Sequence, residues 1–258
     1  MVRQTLAVQV EACRRSFGLS EEVGVTKELG PKNAGWSFGG KVPETFVSHI
    51  AQSVPYYVEM HDLVCQLSDF YVGPDSVCYE LGVSTGELLK KLALHHPSKP
   101  RVRWVGLDVE QAMTEQARLH CENVANIEIH HEDVRLADFE RADLFVSYYC
   151  MQFVPPRDRQ AVFQKVYDSL NWGGAFILFE KVRGPDARFQ DILSALYNDF
   201  KVDRGLGAEE ILAKTRSLKG VLEPFSTAGN LGLLERAGFK DVMGVFKYLC
   251  FEGFLAIK

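Results

Sequence analysis

The stretch that decides the fold is SVCYELGVSTGELLKKLALH, residues 76–95. The apolar run that ends at Leu81 predicts a short buried strand, and the residues from Glu87 onward predict a helix. Between them stand Gly82 and Gly86, where the backbone must turn sharply and where the missing Cβ lets a ligand approach closely. This stretch therefore predicts a strand, a glycine turn suited to ligand binding, and a helix.

Further strands and helices alternate on the carboxyl side of this stretch. The predicted strands lie at 103–107, 127–130, 143–149 and 175–179, and the predicted helices lie at 112–120, 157–170 and 231–237. Such alternation is typical of a parallel sheet covered by helices on both faces. Strands predicted at 241–246 and 249–257 are joined by two residues, so they form a hairpin that adds an antiparallel edge strand. The sequence predicts a Rossmann-like α/β fold with a mostly parallel, seven-stranded sheet.

The remaining segments are predicted to surround this sheet. Residues 1–70 form an N-terminal helical arm and lid, with an amphipathic helix at 1–17 and a second helical region at 43–70. Residues 71–258 form the ligand-binding domain. Within it, residues 186–220 are polar and helical and contain no strand, so we expect them to form a helical cover over the sheet.

The composition indicates a protein whose partners are small molecules. A net charge of −5 over 258 residues disfavours nucleic-acid binding, because phosphate recognition needs a clustered excess of Lys and Arg. The six cysteines form no CxxC pair, and the adjacent histidines lack the i, i+4 spacing of a helical metal site, so we expect no disulfide framework and no metal. The sequence shows no signal-peptide core and no run of roughly 18 apolar residues. We therefore expect a cytoplasmic protein without a membrane span.

Acidic residues follow the first strands in order along the chain. Asp108 ends the second strand, about 20 residues beyond the glycine turn, where a carboxylate can accept hydrogen bonds from both hydroxyls of an adenosine ribose. Asp133 and Val134 follow the third strand, where a polar and an apolar side chain can read the adenine amino group and pack beside its ring. Together with the turn, these residues predict a ligand that contains adenosine.

The residues of the turn discriminate between the common adenosine cofactors. A dinucleotide turn usually reads GxGxxG, but Ser84 occupies the middle position and no third glycine follows at that spacing. Glu80 places a carboxylate just before the turn, which attracts the ammonium or sulfonium of S-adenosyl-L-methionine and repels a phosphate. Alternatively, Glu80 caps a helix or pairs with a nearby lysine. The first interpretation predicts S-adenosyl-L-methionine as the cofactor.

Residues 76–258 resemble class I S-adenosylmethionine-dependent methyltransferases in the glycine turn, in Asp108, in the LNWGG stretch at 170–174 and in the terminal strand pair. A closer resemblance is to the carboxy-S-adenosylmethionine synthase family. The motifs that carry it are Trp36-Ser37-Phe38, Gln52-Ser53-Val54-Pro55 with Tyr57, Met151-Gln152-Phe153, Glu180-Lys181, Asp199-Phe200-Lys201 and Lys214-Thr215-Arg216-Ser217. Each motif is short, but their shared order along the chain makes the set specific.

The resemblance implies a site for the cofactor and a homodimeric assembly. The positions that match the family's cofactor-binding residues are Tyr57, Gly82, Val83, Ser84, Asp108, Val109, Asp133 and Val134. Arg216 matches an arginine that grips the extra carboxylate of carboxy-S-adenosyl-L-methionine. This sequence departs from the family at Tyr148, where the family has an asparagine that contacts the cofactor, and at Glu80, where it has an aspartate.

Five side chains carry alternative interpretations from their chemistry alone. The planar guanidinium of Arg216 can bind a substrate carboxylate with two parallel hydrogen bonds, or it can be solvated on a polar helix. The hydroxyl of Tyr148 can orient a nucleophile, or the ring can simply pack. Trp36 and Phe38 either close over the substrate as an aromatic lid or anchor the N-terminal arm. His61 is either a candidate base on the second helical region or a structural or surface residue.

These observations predict an S-adenosylmethionine-dependent transferase. The first hypothesis is methyl transfer to a small, carboxylate-bearing acceptor, with Arg216 binding the acid and Tyr148 aiming the nucleophile, since the sulfonium is already an activated leaving group. The second is synthesis of carboxy-S-adenosyl-L-methionine, in which the cofactor itself is modified. A noncatalytic cofactor-binding protein is the third hypothesis, and a dehydrogenase is the fourth.

Overall fold

The structure is a computed structural model that describes residues 50–258. The predicted helix at 1–17 and the aromatic residues Trp36 and Phe38 lie outside the described residues. Among the residues described, no helix combines the length and the apolar composition that crossing a membrane requires.

Strands and helices alternate through most of the described chain. The helices are α1 (Tyr57–Ser68), α2 (Glu87–His95), α3 (Gln111–Cys121), α4 (Pro156–Ser169), α5 (Ala187–Asp203), α6 (Ala208–Ser217) and α7 (Thr227–Ala237). The strands are β1 (Val77–Leu81), β2 (Arg103–Asp108), β3 (Ile127–His131), β4 (Ala142–Tyr148), β5 (Leu170–Lys181), β6 (Asp241–Tyr248) and β7 (Phe251–Ile257). The predicted Rossmann-like α/β fold is therefore confirmed.

The seven strands form one mixed sheet in the order β3-β2-β1-β4-β5-β7-β6. The first five strands pair in parallel, and β7 pairs antiparallel with both β5 and β6. The antiparallel C-terminal strand was predicted at the edge of the sheet, but it lies one position inside and β6 forms the edge. A short hairpin fixes the antiparallel pairing of its two strands, and it leaves open which of them joins the rest of the sheet.

Strand β5 begins earlier than the sequence predicted. The LNWGG stretch lies between the predicted helix at 157–170 and the predicted strand at 175–179, but Leu170 already pairs with Ala142 of β4. The pairing is irregular just after this point, between Ala142 and Leu144, and Gly173 has a φ of 80°. The side chain of Trp172 is exposed on this irregular part of the strand. The irregular backbone around Gly173 is therefore part of the first residues of β5.

Both faces of the sheet carry buried apolar side chains. On one face Phe145 and Phe176 belong to a cluster that includes Phe163 of α4. On the other face Leu144 and Ile177 belong to a cluster that includes side chains of α1 and α2. The parallel strands are thus covered on both faces. Because these strands run in the same direction, the carboxyl ends of β1, β2, β3, β4 and β5 lie at one edge of the domain, where ligands bind in folds of this kind.

The segment predicted to cover this edge contains α5 and α6. Lys201 is the one buried residue of α5, and α6 has no buried residue. A long helix whose single buried side chain is a lysine is unusual, because lysines are rarely buried without a partner.

Candidate active site at the carboxyl edge of the sheet

The glycine turn between β1 and α2 has the backbone geometry that its sequence predicted. Gly82 and Gly86 have φ values of 79° and 84°. A Cβ on Gly82 would lie 2.5 Å from the Sγ of Cys150, and one on Gly86 would lie 3.0 Å from the Sγ of Cys121. Ser84 is left-handed as well, with a φ of 51°, which is uncommon for a residue with a side chain. The turn is therefore held in a tight conformation close to the end of β4.

Asp108 lies at the end of β2 and holds the turn through the backbone. Its Oδ2 accepts a hydrogen bond from the Ser84 N–H at 2.9 Å, and its Oδ1 accepts one from the Glu110 N–H at 2.9 Å. The carbonyl oxygen of the preceding Leu107 accepts bonds from Gly82 and Val83. Burial raises the pKa of Asp108, and the two backbone donors oppose that shift. Each carboxylate oxygen keeps a second acceptor site for a hydroxyl of a ligand.

Glu80 is buried at the end of β1 with one carboxylate oxygen unpaired. It accepts a hydrogen bond from the Leu89 N–H in the first turn of α2, so the capping interpretation is partly right. No ion pair joins it to a lysine within residues 50–258, and its Oε2 has no hydrogen-bond partner there. Burial, together with the nearby charge of Asp108, raises its pKa well above the ordinary value. A cation beside the turn would satisfy this oxygen, so the residues fit an ammonium or sulfonium ligand.

The residues predicted to contact adenine lie beyond β3. Asp133 follows β3, and its carboxylate accepts hydrogen bonds from the Arg135 side chain and from the Arg135 N–H. This pairing lowers the pKa of Asp133. Val134 is buried, whereas Val109 is more than half exposed, so only the second offers an open apolar surface. The structure thus brings Asp108 to the turn but shows Asp133 engaged with a neighbouring arginine.

An aromatic cluster occupies the edge beside the turn. It consists of Tyr57 on α1 and the consecutive Tyr148 and Tyr149 at the end of β4, with ring centroids 5.1 Å apart for Tyr57 and Tyr148. The hydroxyl of Tyr148 donates a hydrogen bond to the Tyr57 carbonyl at 2.6 Å. The hydroxyl of Tyr149 is buried without a partner among residues 50–258, and its backbone φ is 60°. Of the two consecutive tyrosines at the end of β4, it is therefore Tyr149 whose hydroxyl has no protein partner among the described residues.

His61 packs against this cluster from α1. Its ring lies 4.8 Å from that of Tyr148, and its side chain is buried, so the expectation of a surface residue is wrong while that of a structural residue stands. Burial, followed by the charge of Lys91, lowers its pKa to about 4. The neutral imidazole adjoins a cleft of about 350 Å³ that is also lined by Tyr57, Lys90 and Lys91.

Glu180 is a second buried acid that the sequence analysis left without a role. It lies near the end of β5, and burial raises its pKa to about 8 although Arg159 and two backbone N–H groups favour the charged form. Its Oε1 has no hydrogen-bond partner within the part of the chain that the structure describes. The motif Glu180-Lys181 was the sequence signal for this residue, but a motif alone did not show that its carboxylate is buried.

Arg216 lies on α6, away from the turn. Its side chain is exposed, whereas Lys214, two residues earlier, points inward and donates a hydrogen bond to the Oγ of Ser53 at 2.8 Å. Positions two apart on a helix face different sides. The structure therefore turns the side chain of Lys214 inward to Ser53 and leaves that of Arg216 exposed.

A group of His and Asp side chains at the C-terminal end of α2 resembles a metal site only in its residue types. Asp69, His95 and His96 approach one another closely. However, the Nε2 of His96 is hydrogen-bonded to Ser68, and its Nδ1 lies 3.3 Å from the Nζ of Lys99. Both ring nitrogens thus already have protein partners, and one of these partners is a cation that would repel a metal.

Comparison with known proteins identifies the family. Residues 79–174 match the family described as "Methyltransferase domain". A protein of Staphylococcus epidermidis named carboxy-S-adenosyl-L-methionine synthase is 37% identical over 224 residues, which are 86% of this chain and 97% of that protein. A protein of the same name from Campylobacter lari is 32% identical over 88% of this chain and 97% of its own length.

Solved structures share the fold at low sequence identity. Human N-acetylserotonin methyltransferase in complex with SAM has a TM-score of 0.51 and 16% identity, over 83% of this chain and 59% of that chain. The pyocyanin biosynthetic protein PhzM has a TM-score of 0.60 and 15% identity, over 84% of this chain and 58% of its own. At such identities the likeness shows the fold alone. The near-full-length relatives show more: the chain is an S-adenosylmethionine-dependent enzyme and belongs to the carboxy-S-adenosyl-L-methionine synthase family.

Proposed function

We propose that this enzyme synthesises carboxy-S-adenosyl-L-methionine from S-adenosyl-L-methionine. The observation that carries the proposal is the match to relatives of that name over 97% of their length. In this reaction a hydrogen of the cofactor is replaced by a carboxyl group, so a proton leaves and a second molecule supplies the carboxyl group. The site must then hold the cofactor and a carboxyl donor side by side.

The residues around the turn are proposed to hold the cofactor. Gly82 and Gly86 allow it to approach the backbone, and the carboxylate of Asp108 accepts the ribose hydroxyls. The unpaired oxygen of Glu80 is proposed to face the cofactor's positive charge, because an anion buried without a counter-ion is unfavourable until a cation arrives. Tyr57 closes this site from α1.

Methyl transfer to a separate acceptor is the second candidate function. The observation that favours it is Tyr148, which stands where the family resemblance predicts an asparagine in contact with the cofactor. A changed contact at this position can change which atom of the cofactor reacts. Under this alternative Arg216 binds the acid group of the acceptor.

The mass of the ligand released from purified protein distinguishes the two. Carboxy-S-adenosyl-L-methionine is heavier than the methyl donor by one carboxyl group in place of a hydrogen. Incubation with cofactor labelled in its methyl carbon adds a second readout, because synthesis retains the label in the cofactor and methyl transfer moves it to another molecule. Recovery of unmodified cofactor alone, with label transferred to an acceptor, would refute the synthase proposal.

We also propose that the enzyme acts as a cytoplasmic homodimer, with residues 1–70 as an arm and lid and residues 186–220 as a cover. The family resemblance supports the dimer, and the exposed apolar side chains of α5 support a role for the cover in contacts beyond this chain. Sedimentation of the full chain at several concentrations measures the assembly directly. A monomer at all concentrations would contradict it.

A further inference from the structure

Two buried side chains of opposite charge bind the loop that follows β4, which is called here the β4 loop (residues 149–154). Glu180, near the end of β5, is 1% exposed, and Arg159, on α4, is 2% exposed. Charged side chains are rarely buried to this extent unless they have partners. The partners of both side chains lie in the backbone of the β4 loop.

The bonds to these side chains satisfy both N–H groups and carbonyl groups of the β4 loop. The carboxylate of Glu180 accepts hydrogen bonds from the N–H groups of Met151 and Gln152. The guanidinium of Arg159 donates to the Val154 carbonyl at 2.8 Å and to the Gln152 carbonyl at 3.1 Å. Because a buried backbone group without a partner is unfavourable, these bonds favour one path of the loop.

The first residue of the β4 loop is held by further hydrogen bonds. The side chain of Gln152 donates to the Tyr149 carbonyl at 3.1 Å and accepts from the Lys181 N–H at 3.0 Å. The Tyr149 N–H donates to the Phe179 carbonyl at 2.8 Å. Tyr149 has a φ of 60°, a left-handed conformation that a bulky residue adopts only where its surroundings require it. The loop therefore determines the direction of the Tyr149 side chain.

The β4 loop also contacts the two parts of the candidate active site. The ring of Tyr149 stacks on that of Tyr57 with centroids 6.3 Å apart, and its buried hydroxyl has no partner among residues 50–258. The next residue is Cys150, whose Sγ lies where a Cβ on Gly82 would come within 2.5 Å. A displacement of the loop would thus move the aromatic cluster and disturb the glycine turn.

We propose that Glu180 is a positioning residue, which acts together with Arg159 through the β4 loop to aim the Tyr149 hydroxyl at the bound ligand. Apolar residues of similar volume in place of two buried charges often leave stability unchanged or raise it, so stability alone does not account for this pair. The inference rests on the proposed function only for the statement that a ligand reacts at this edge of the sheet.

The first test observes Tyr149 directly and needs no turnover. The full chain is labelled with 3-fluorotyrosine, and the fluorine NMR resonance of Tyr149 is assigned by its absence from the Tyr149→Phe variant. Glu180→Met removes the acceptor of two loop N–H groups, so it is expected to shift or broaden this resonance. Glu180→Gln keeps an acceptor oxygen on a side chain of the same length and should retain the wild-type resonance.

Glu252→Met is the matched control for the loss of a buried carboxylate. Glu252 lies directly opposite Glu180 on β7 and is 3% exposed. Its carboxylate, however, is bound by Thr227 and Lys247 and not by the β4 loop. The resonance of Tyr149 should therefore be the same in this variant as in the wild-type enzyme.

Arg159→Lys is a second, milder variant that should fold even if Glu180→Met does not. It keeps the positive charge, but an ammonium cannot reproduce the geometry with which the guanidinium binds two carbonyl oxygens. It should also shift the Tyr149 resonance. A resonance that responds to neither Glu180→Met nor Arg159→Lys, or that responds equally to Glu252→Met, would overturn the inference.

The second test measures whether Glu180 acts through the Tyr149 hydroxyl. Consumption of S-adenosyl-L-methionine labelled in its methyl carbon is followed at saturating cofactor, with a protein-free filtrate of a bacterial lysate as the source of the second substrate. Glu180→Met is expected to lower the rate about tenfold or more in the wild-type background and less than about twofold in the Tyr149→Phe background. Glu180→Gln should restore most of the rate.

Equal losses in both backgrounds would show that Glu180 is merely structural and would overturn the inference. Consumption of the labelled cofactor is measured whichever product forms, so the outcome does not depend on the identity of that product. A wild-type enzyme that consumes the cofactor without forming a carboxylated product would contradict the proposed function, whereas a Tyr149 resonance that still depends on Glu180 would support the positioning role.

Discussion

The two ends of the ligand edge are built from opposite charges. At the β1–β2 end the unpaired carboxylate of Glu80 and the carboxylate of Asp108 surround a glycine turn. At the β4–β5 end the ammonium groups of Lys181 and Lys201 lie against the ring of Tyr197, and Lys214 lies close enough to influence Lys201. The acidic end therefore suits a cation, and this basic end suits an anion.

The two ends also differ in how their charges are supported. Backbone N–H groups hold Asp108 in place, so the acidic end is fixed by the chain itself. Lys181 and Lys201 lie against the ring of Tyr197, and Lys214 donates a hydrogen bond to the Oγ of Ser53. Burial, followed by the charges of Lys181 and Lys214, lowers the pKa of Lys201 to about 8. Backbone donors thus hold the carboxylate of the acidic end, whereas an aromatic ring and neighbouring like charges surround Lys201.

Gly82→Ala is expected to have the largest effect, and it acts on the acidic end. The left-handed φ disfavours alanine by about 1–2 kcal/mol. In addition the new Cβ would lie 2.5 Å from the Sγ of Cys150, so the ends of β1 and β4 must separate. We expect binding of S-adenosyl-L-methionine, measured by calorimetry, to weaken by more than about a hundredfold. Gly244→Ala, where the Cβ meets nothing within 4 Å, is the control and should change little.

The acidic end could be predicted from the sequence because its parts are close along the chain or fall at fixed points of a repeating pattern. Gly82 and Gly86 follow one strand and Asp108 ends the next, so strand and helix alternation alone brings them together. The basic end brings together Lys181 of β5, Lys201 of α5 and Lys214 of α6, and their meeting depends on how α5 and α6 fold back onto the sheet. The burial of His61 and the interior position of β7 depend on tertiary packing in the same way, and neither leaves a local signal.

The substitution Glu80→Gln tests how the negative charge of the acidic end contributes to cofactor binding. The raised pKa of Glu80 means that the free enzyme holds a proton there at higher pH than an ordinary glutamate. A bound cation favours the carboxylate, so cofactor binding should release a proton and tighten as the pH rises. Calorimetry in two buffers of different ionisation enthalpy measures the release.

We expect Glu80→Gln to reduce this proton release and to weaken cofactor binding about tenfold or more. Some release can persist, because the pKa of Asp108 is raised too. Glu115→Gln, at an exposed position on α3, is the control. Equal binding heats in both buffers for the wild-type enzyme would show that cofactor binding releases no proton, which would contradict this prediction.

Anion binding at the basic end should weaken as the pH rises, whereas cofactor binding at the acidic end should tighten. Lys201 has a pKa of about 8, so its ammonium is largely present at pH 7 and largely lost at pH 9. Affinity for a carboxylate should therefore fall about tenfold over that interval. The titratable groups that face Lys201 are Lys181 on β5, Lys214 on α6, Cys250 between β6 and β7, and Tyr197 on its own helix. Carboxylate affinity that stays constant from pH 7 to 9 would place the anion elsewhere.

The smallest effects are expected from substitutions of Tyr148 and Tyr149, the two tyrosines that lie between the acidic and the basic end. Tyr148→Phe removes the donor to the Tyr57 carbonyl and leaves that oxygen unpaired, which should lower the free energy of unfolding by about 1–2 kcal/mol. Tyr149→Phe removes a buried hydroxyl that has no partner among the described residues, so it should leave stability unchanged or raise it. Denaturant unfolding without ligand measures both. Turnover should show the reverse order, because of these two hydroxyls that of Tyr149 has no protein partner among the described residues and that of Tyr148 has one. A larger loss of turnover in Tyr148→Phe would return the catalytic role to the residue first suggested by the sequence.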